Sequence, residues 1–141
     1  MSRTLSIHWQ RLVSPEGETC PRCAATGDEV HAAVAILNEV LPPLGIQPEL
    51  AITEIDTSSF RVNPAASNRI TIADRTIEEW LGGHTGSSRC CSVCGESDCR
   101  TVEVSGVSFE TIPERLILRA ALLASAALLD EAPAEALSCC T

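Results

Sequence analysis

Leu5, Ile7 and Trp9 alternate with Ser6, His8 and Gln10, the two-residue period of a strand with one buried face. Ser14-Pro15-Glu16-Gly17 then reads as a turn. After Cys20-Pro21-Arg22-Cys23 and the small residues 24–27, Asp28 is placed to cap a helix running to about Leu41, where Pro42 and Pro43 stop it. Val30, Val34, Leu37 and Leu41 recur at helical spacing and predict its core face. Residues 46–55 predict a second strand, with Leu50, Ile52 and Ile55 turned inward.

The second half is more broken. Residues 56–68 read as a loop, 70–72 as a short strand, and 76–81 as a short strand or helical turn closed by Gly82-Gly83. Residues 101–104 and 107–111 flank Ser105-Gly106, a two-residue hairpin turn. Thr111 to Glu114 has a capping-box pattern with Pro113 in the first turn, opening a last helix to about Leu129. Leu116, Ala120, Leu123 and Ala127 form its stripe, widened by Leu118, Leu122 and Leu129. The order is β-α-β, loop, β-β-α, an α/β domain over residues 1–129. It carries a cysteine-rich loop at 84–100 and a mobile tail at 130–141.

Composition narrows what such a domain does. The 141 residues are 45 % hydrophobic and 21 % charged, too apolar for a disordered chain. Ten basic residues, all arginine, against 19 acidic ones give a net charge of −9, which repels phosphate backbones and anionic membranes, so neither nucleic acid nor membrane is an expected partner. Residues 1–10 have no apolar signal core, and no apolar run approaches the ~20 residues of a membrane span. These features predict a cytoplasmic protein.

Eight cysteines change the picture. In a reducing compartment they point to metal or redox chemistry more than to a disulfide scaffold. Cys20 and Cys23, spaced as CxxC after the first strand, suit an attacking and a resolving thiol, because unsatisfied N–H groups at a helix start stabilise a thiolate. The same spacing also suits half of a zinc knuckle. Cys91 and Cys94, followed by Gly95, form a second knuckle, to which Cys99 and Cys90 could add a third and a fourth thiolate for zinc or another soft ion. Two alternatives stand beside it: a four-sulfur site joining Cys20 and Cys23 to Cys91 and Cys94, and local disulfides stapling the loop. The spacing fits neither common ferredoxin pattern. Cys139 and Cys140, adjacent on the tail, could pinch a two-coordinate ion.

Two resemblances bear on these readings. The segments SIHWQRLV, TCPRC, SNRITI, IEEWLG and CCSVCGESDCRTVEV, in that order before an apolar last helix, resemble a cysteine-rich bacterial family of unknown function placed among thioredoxin-like proteins. That resemblance implies a thioredoxin-like fold and no activity. Working thioredoxins carry a cis-proline directly before the third core strand, where this chain has Asn68-Arg69 and its nearest proline is Pro64. The Cys139-Cys140 tail resembles the terminal cysteine pair with which mercuric reductase captures Hg(II).

His8, His31 and His84 are too scattered for a triad, although His84 lies near the cysteine loop and could add a ligand. Glu78-Glu79 reads as a solvated face, and 82–86 lacks the lysine of a phosphate loop. The leading expectation is a thiolate protein that binds and passes on mercury, arsenic or zinc. In it Cys139 and Cys140 capture the ion, and Cys20/Cys23 or the 90–99 cluster receives it by ligand exchange without an external cofactor. The alternatives are a thiol–disulfide oxidoreductase acting through Cys20 and Cys23 on a thiol redox partner, and a non-catalytic domain with one structural zinc.

Overall fold

The computed structural model describes residues 3–89 and 98–131. Strand β1 (Arg3–Leu12) pairs in parallel with β2 (Ile46–Ile55), and the connection between them is helix α1 (Pro21–Val40). After a one-turn helix α2 (Thr57–Val62), strand β3 (Arg69–Ile72) runs antiparallel along the other side of β1, and β4 (Arg75–Thr76) pairs with β3. The resulting mixed sheet has the order β2-β1-β3-β4. Helix α3 (Ile77–Leu81) then leads into a second, antiparallel sheet of β5 (His84–Ser88), β6 (Cys99–Val104) and β7 (Val107–Phe109). Helix α4 (Glu114–Asp130) returns to the first sheet.

Register aligns the core. Trp9 stands opposite Ile70 and Ile7 opposite Ile72, so four large buried side chains share one face of the sheet. Helices α1 and α4 pack on each other and on β1. Ser6 on the opposite side of β1 is exposed. This is the mixed α/β architecture that the strand and helix patterns predict. The hairpin turn is also as expected: Ser105 and Gly106 have φ of 53° and 81°, the pair of positive values that a tight two-residue turn requires.

Several details differ from the sequence-based expectations. Helix α1 begins at Pro21, not at Asp28, so Gly27 lies inside it. The reason is packing: a β-carbon on Gly27 would stand 2.6 Å from Cη2 of Trp9, so the missing side chain is what lets the indole lie against the helix. Ile52 is 41 % exposed and Leu50 and Ile55 only partly buried, because β2 is an edge strand. Residues 57–62 are helical rather than loop, since the Asp56 carboxylate accepts from the Ser59 N–H (2.7 Å) and Phe60 is buried. Hydrogen bonds from the Ser59 backbone above all, and from the Ser59 hydroxyl and the Ser58 backbone, hold the Asp56 carboxyl below its usual value.

In α4 the buried stripe is Leu116, Ile117, Ala120, Ala121, Ala124 and Ser125. Leu122, Leu123 and Leu129 are exposed, so the helix is rotated from the predicted face and small residues, not leucines, allow its close approach. Its expected Thr111 capping box does not form: Pro113 is the N-cap, and the Glu114 N–H instead donates to the Glu29 carboxylate of α1 (3.2 Å). At the other end, Arg3 donates to the carbonyls of Leu128 and Glu131, satisfying two of the helix's last acceptors.

Candidate functional site

Cys20 is the N-cap of α1, with Pro21 directly after it, a residue that fits a helix start because it lacks an N–H. The Cys20 carbonyl accepts the first helical bond, from Ala24 N–H (2.9 Å). The CxxC therefore forms the first turn of a 20-residue helix, and its sulfurs belong to the helix's positive end. Both cysteines are buried, Cys20 at 1 % and Cys23 at 3 % exposure.

Arg22, between them, points away from solvent and into the second sheet. Its guanidinium donates to the carbonyls of Arg89 (2.9 Å), Cys99 (3.4 Å) and Ser88 (3.5 Å), and pairs with the Glu110 carboxylate (3.1 Å). Arg89 and Cys99 flank the stretch 90–97, so one side chain of the CxxC grips both stems of the cysteine-rich loop. Cys99 is buried at 3 % exposure and is disulfide-bonded.

The grip extends into the first sheet. Asn68, directly before β3, is buried with φ of 51°; it accepts from Trp9 Nε1 and donates to the Glu110 carbonyl, both at 3.3 Å. One chain of polar contacts thus runs Trp9–Asn68–Glu110–Arg22–Cys99, and Thr26 of α1 adds a further tie by accepting from Ile112 N–H (3.1 Å).

Beneath β6 lies a second polar cluster. Arg100 pairs with Glu78 of α3 and also donates to Thr85 Oγ1 and the Ala65 carbonyl, with both charged side chains under 5 % exposed. Burial pulls the Arg100 guanidinium below its ordinary value, and Glu78 opposes that shift. Glu78 is therefore a core residue and not part of a solvated face. The alternation Arg100, Val102, Val104 was its readable signal, because it puts Arg100 on the buried side of β6 and calls for an anionic partner there.

Of the other expected site residues, Cys90, Cys91, Cys94, Cys139 and Cys140 lie outside the described residues, as does all of the tail beyond Glu131. His84 is exposed on β5 and pairs with Glu103; His8 contacts Thr53 Oγ1 (2.7 Å), and Nδ1 of His31 contacts the Gly27 carbonyl (2.8 Å). Among the described residues no group of three or more His, Cys, Asp or Glu side chains converges as a metal site, and no helix is long and apolar enough to cross a membrane.

Residues 5–121 match a domain of unknown function, DUF2703. The chain belongs to the DUF2703 family. A relative in Archaeoglobus fulgidus, described as an uncharacterized protein, is 40 % identical over 113 residues, covering 80 % of this chain and 82 % of its own. No solved structure matches. The DUF2703 match begins within β1 and ends within α4, so it spans the CxxC, Arg22, Asn68, Cys99 and Glu110.

Proposed function

We propose that this DUF2703 chain is a thioredoxin-like thiol–disulfide oxidoreductase, with Cys20 the attacking and Cys23 the resolving sulfur. The observation that carries the reading is the position of the CxxC as the first turn of α1. There the unsatisfied N–H groups favour Cys20 as thiolate, the form that attacks a disulfide. The strand order β2-β1-β3-β4, with α1 between parallel strands and α4 returning to the same sheet, supports a thioredoxin-like frame around that motif. Asn68 stands where the cis-proline of thioredoxins would stand. Its amide joins Trp9 to Glu110, so in this chain it braces the site from the β3 side. In the reaction Cys20 displaces one sulfur of a substrate disulfide to give a mixed disulfide, and Cys23 then displaces the substrate, leaving Cys20–Cys23 oxidised. The test is catalytic turnover of a small peptide disulfide with dithiothreitol as reductant. Turnover should fall to background in Cys20→Ser, and a Cys20→Ser variant as active as the parent would refute the assignment.

A second reading uses the same sulfurs as ligands for a soft ion such as zinc, mercury or arsenic. It is favoured by Arg22, which holds Cys20 and Cys23 against the stems of the loop that contains Cys90, Cys91 and Cys94. Cys139 and Cys140 would then act as the capturing pair. Elemental analysis together with a thiol count on anaerobically purified protein separates this reading from the first, which requires no bound ion.

A further inference from the structure

We infer that the outer edge of β2 is an interface between two copies of this chain, in which β2 pairs antiparallel with its twin about a two-fold axis at Ala51 and the two mixed sheets join into one. The interface is independent of the cysteine chemistry. Hydrogen bonding sets it up. At the two ends of the β1–β2 ladder the Arg3 N–H donates to the Gly45 carbonyl (2.7 Å) and the Val13 N–H to the Ile55 carbonyl (3.0 Å). Main-chain groups alternate sides along a strand, so the odd-numbered residues of β2 serve β1. Ile46, Pro48, Leu50, Ile52 and Glu54 turn theirs to the outer edge. The Ile46 N–H agrees with this phase, since it leaves the ladder to donate to the Leu41 carbonyl (3.2 Å). Pro48 has no N–H to offer. Leu50, Ile52 and Glu54 remain as a run of outward donors, and no described strand pairs with them.

Little guards that edge. β2 keeps ten residues in unbroken register, about twice the common strand length, without a lysine, an arginine or a bulge. Pro48 blunts it only near its start. An axis at Ala51 sets Leu50 opposite Ile52 of the second copy, twice over, and places the Glu54 N–H opposite the Pro48 carbonyl of the second copy. Every outward donor then meets an acceptor, and the residue without an N–H meets a donor. The same placement covers Ile52, 41 % exposed, with the partly buried Leu50. An axis at Ile52 would instead press Leu50 against Glu54, whose carboxylate is paired with Arg11 (2.7 Å). Charge also fits the Ala51 axis. Glu49 faces Thr53 and Glu54 faces Pro48, so equivalent glutamates stand four and six residues apart along the strands. That is roughly 13 and 20 Å, beyond the Debye length of about 8 Å at physiological salt. Glu49 and Glu54 lie on opposite faces of the sheet, and Arg11 neutralises the second. The net charge of −9 on each chain opposes association at long range, so the dimer tightens as salt screens it.

The test is sedimentation equilibrium of the full chain from micromolar to millimolar concentration, on protein shown by non-reducing electrophoresis to hold no disulfide between chains. In about 0.15 M salt the mass should rise from one chain toward two. At about 0.01 M salt, where the Debye length grows to about 30 Å, the rise should move to higher concentration. One chain throughout would overturn the interface. Ile52→Lys puts a charge on the edge at a position already exposed in the single chain, so it should abolish the dimer and leave Tm unchanged. Val62→Lys, at an 88 % exposed side chain outside β2, should dimerise like the parent. An Ile52→Lys protein that dimerises as well as the parent would overturn the edge pairing, as would equal loss in both variants. Ala51→Cys reads the axis, because directly opposed β-carbons lie about 4.5–5.5 Å apart. Mild oxidation should give a peptide pair linked through position 51 of both chains, and a dimer that never yields this pair would overturn the Ala51 axis.

Discussion

Replacing Gly27 by alanine in α1 tests whether packing under the CxxC helix is as tight as the structure indicates. A helix-interior glycine is ordinarily a liability, and alanine there gains about 1 kcal/mol from backbone propensity. Here the new β-carbon would stand 2.6, 3.0 and 3.3 Å from three carbons of the Trp9 ring. Normal carbon contacts lie near 3.5–4.0 Å, so the ring or the helix must move by roughly 1 Å. The indole has little room to retreat, since it is 2 % exposed and its Nε1 is held by Asn68. Overpacking of this kind costs about 1–3 kcal/mol. The clash outweighs the propensity gain, leaving Gly27→Ala destabilised by roughly 1 kcal/mol, or about 3 °C in Tm for a chain of this size. Thermal unfolding followed by circular dichroism measures it. In a Trp9→Phe background, where the smaller ring no longer reaches the helix, the same change should raise Tm. A Gly27→Ala protein with an increased Tm in the parent background would refute the packing argument.

The remaining predictions are briefer. Glu78→Gln leaves the buried Arg100 cation without its counter-charge and should cost about 3–5 kcal/mol in denaturant unfolding, whereas the double change Glu78→Leu with Arg100→Met should recover most of that loss. A single change no worse than a surface substitution would mean that water solvates the pair. If the soft-metal reading holds, changing both Cys139 and Cys140 to serine should leave Tm within about 1 °C, because chain ends tolerate change, while slowing Hg(II) uptake from small-thiol complexes. Uptake as fast as the parent would exclude the tail from capture.

Local pattern made most of the frame legible. The alternation in residues 5–10, the proline stop at 42–43 and the Ser105-Gly106 turn each set one element, and each depends on neighbours in sequence. The start of α1 was hidden because Gly27 looks like a helix breaker until Trp9, eighteen residues earlier, is seen lying against it. The face of α4 was misread for a related reason: leucine marks a core stripe only where there is space for it, and the close packing of α1 on α4 selects alanine and serine. At the site, the CxxC was readable as a motif. Arg22, Asn68 and Glu110 were not, since their roles arise from contacts spanning 42 to 88 residues, which no spacing rule encodes.

The central claim is that Cys20 and Cys23 form a working redox couple. Its most direct test is an equilibrium titration of the full chain in glutathione buffers, with each point quenched by alkylation and the Cys20–Cys23 peptide quantified by mass spectrometry. The account predicts a single two-electron transition of that peptide between dithiol and disulfide, at a potential within the roughly −270 to −120 mV spanned by known thiol–disulfide oxidoreductases. A Cys20–Cys23 peptide that stays in one state across that whole range would contradict it.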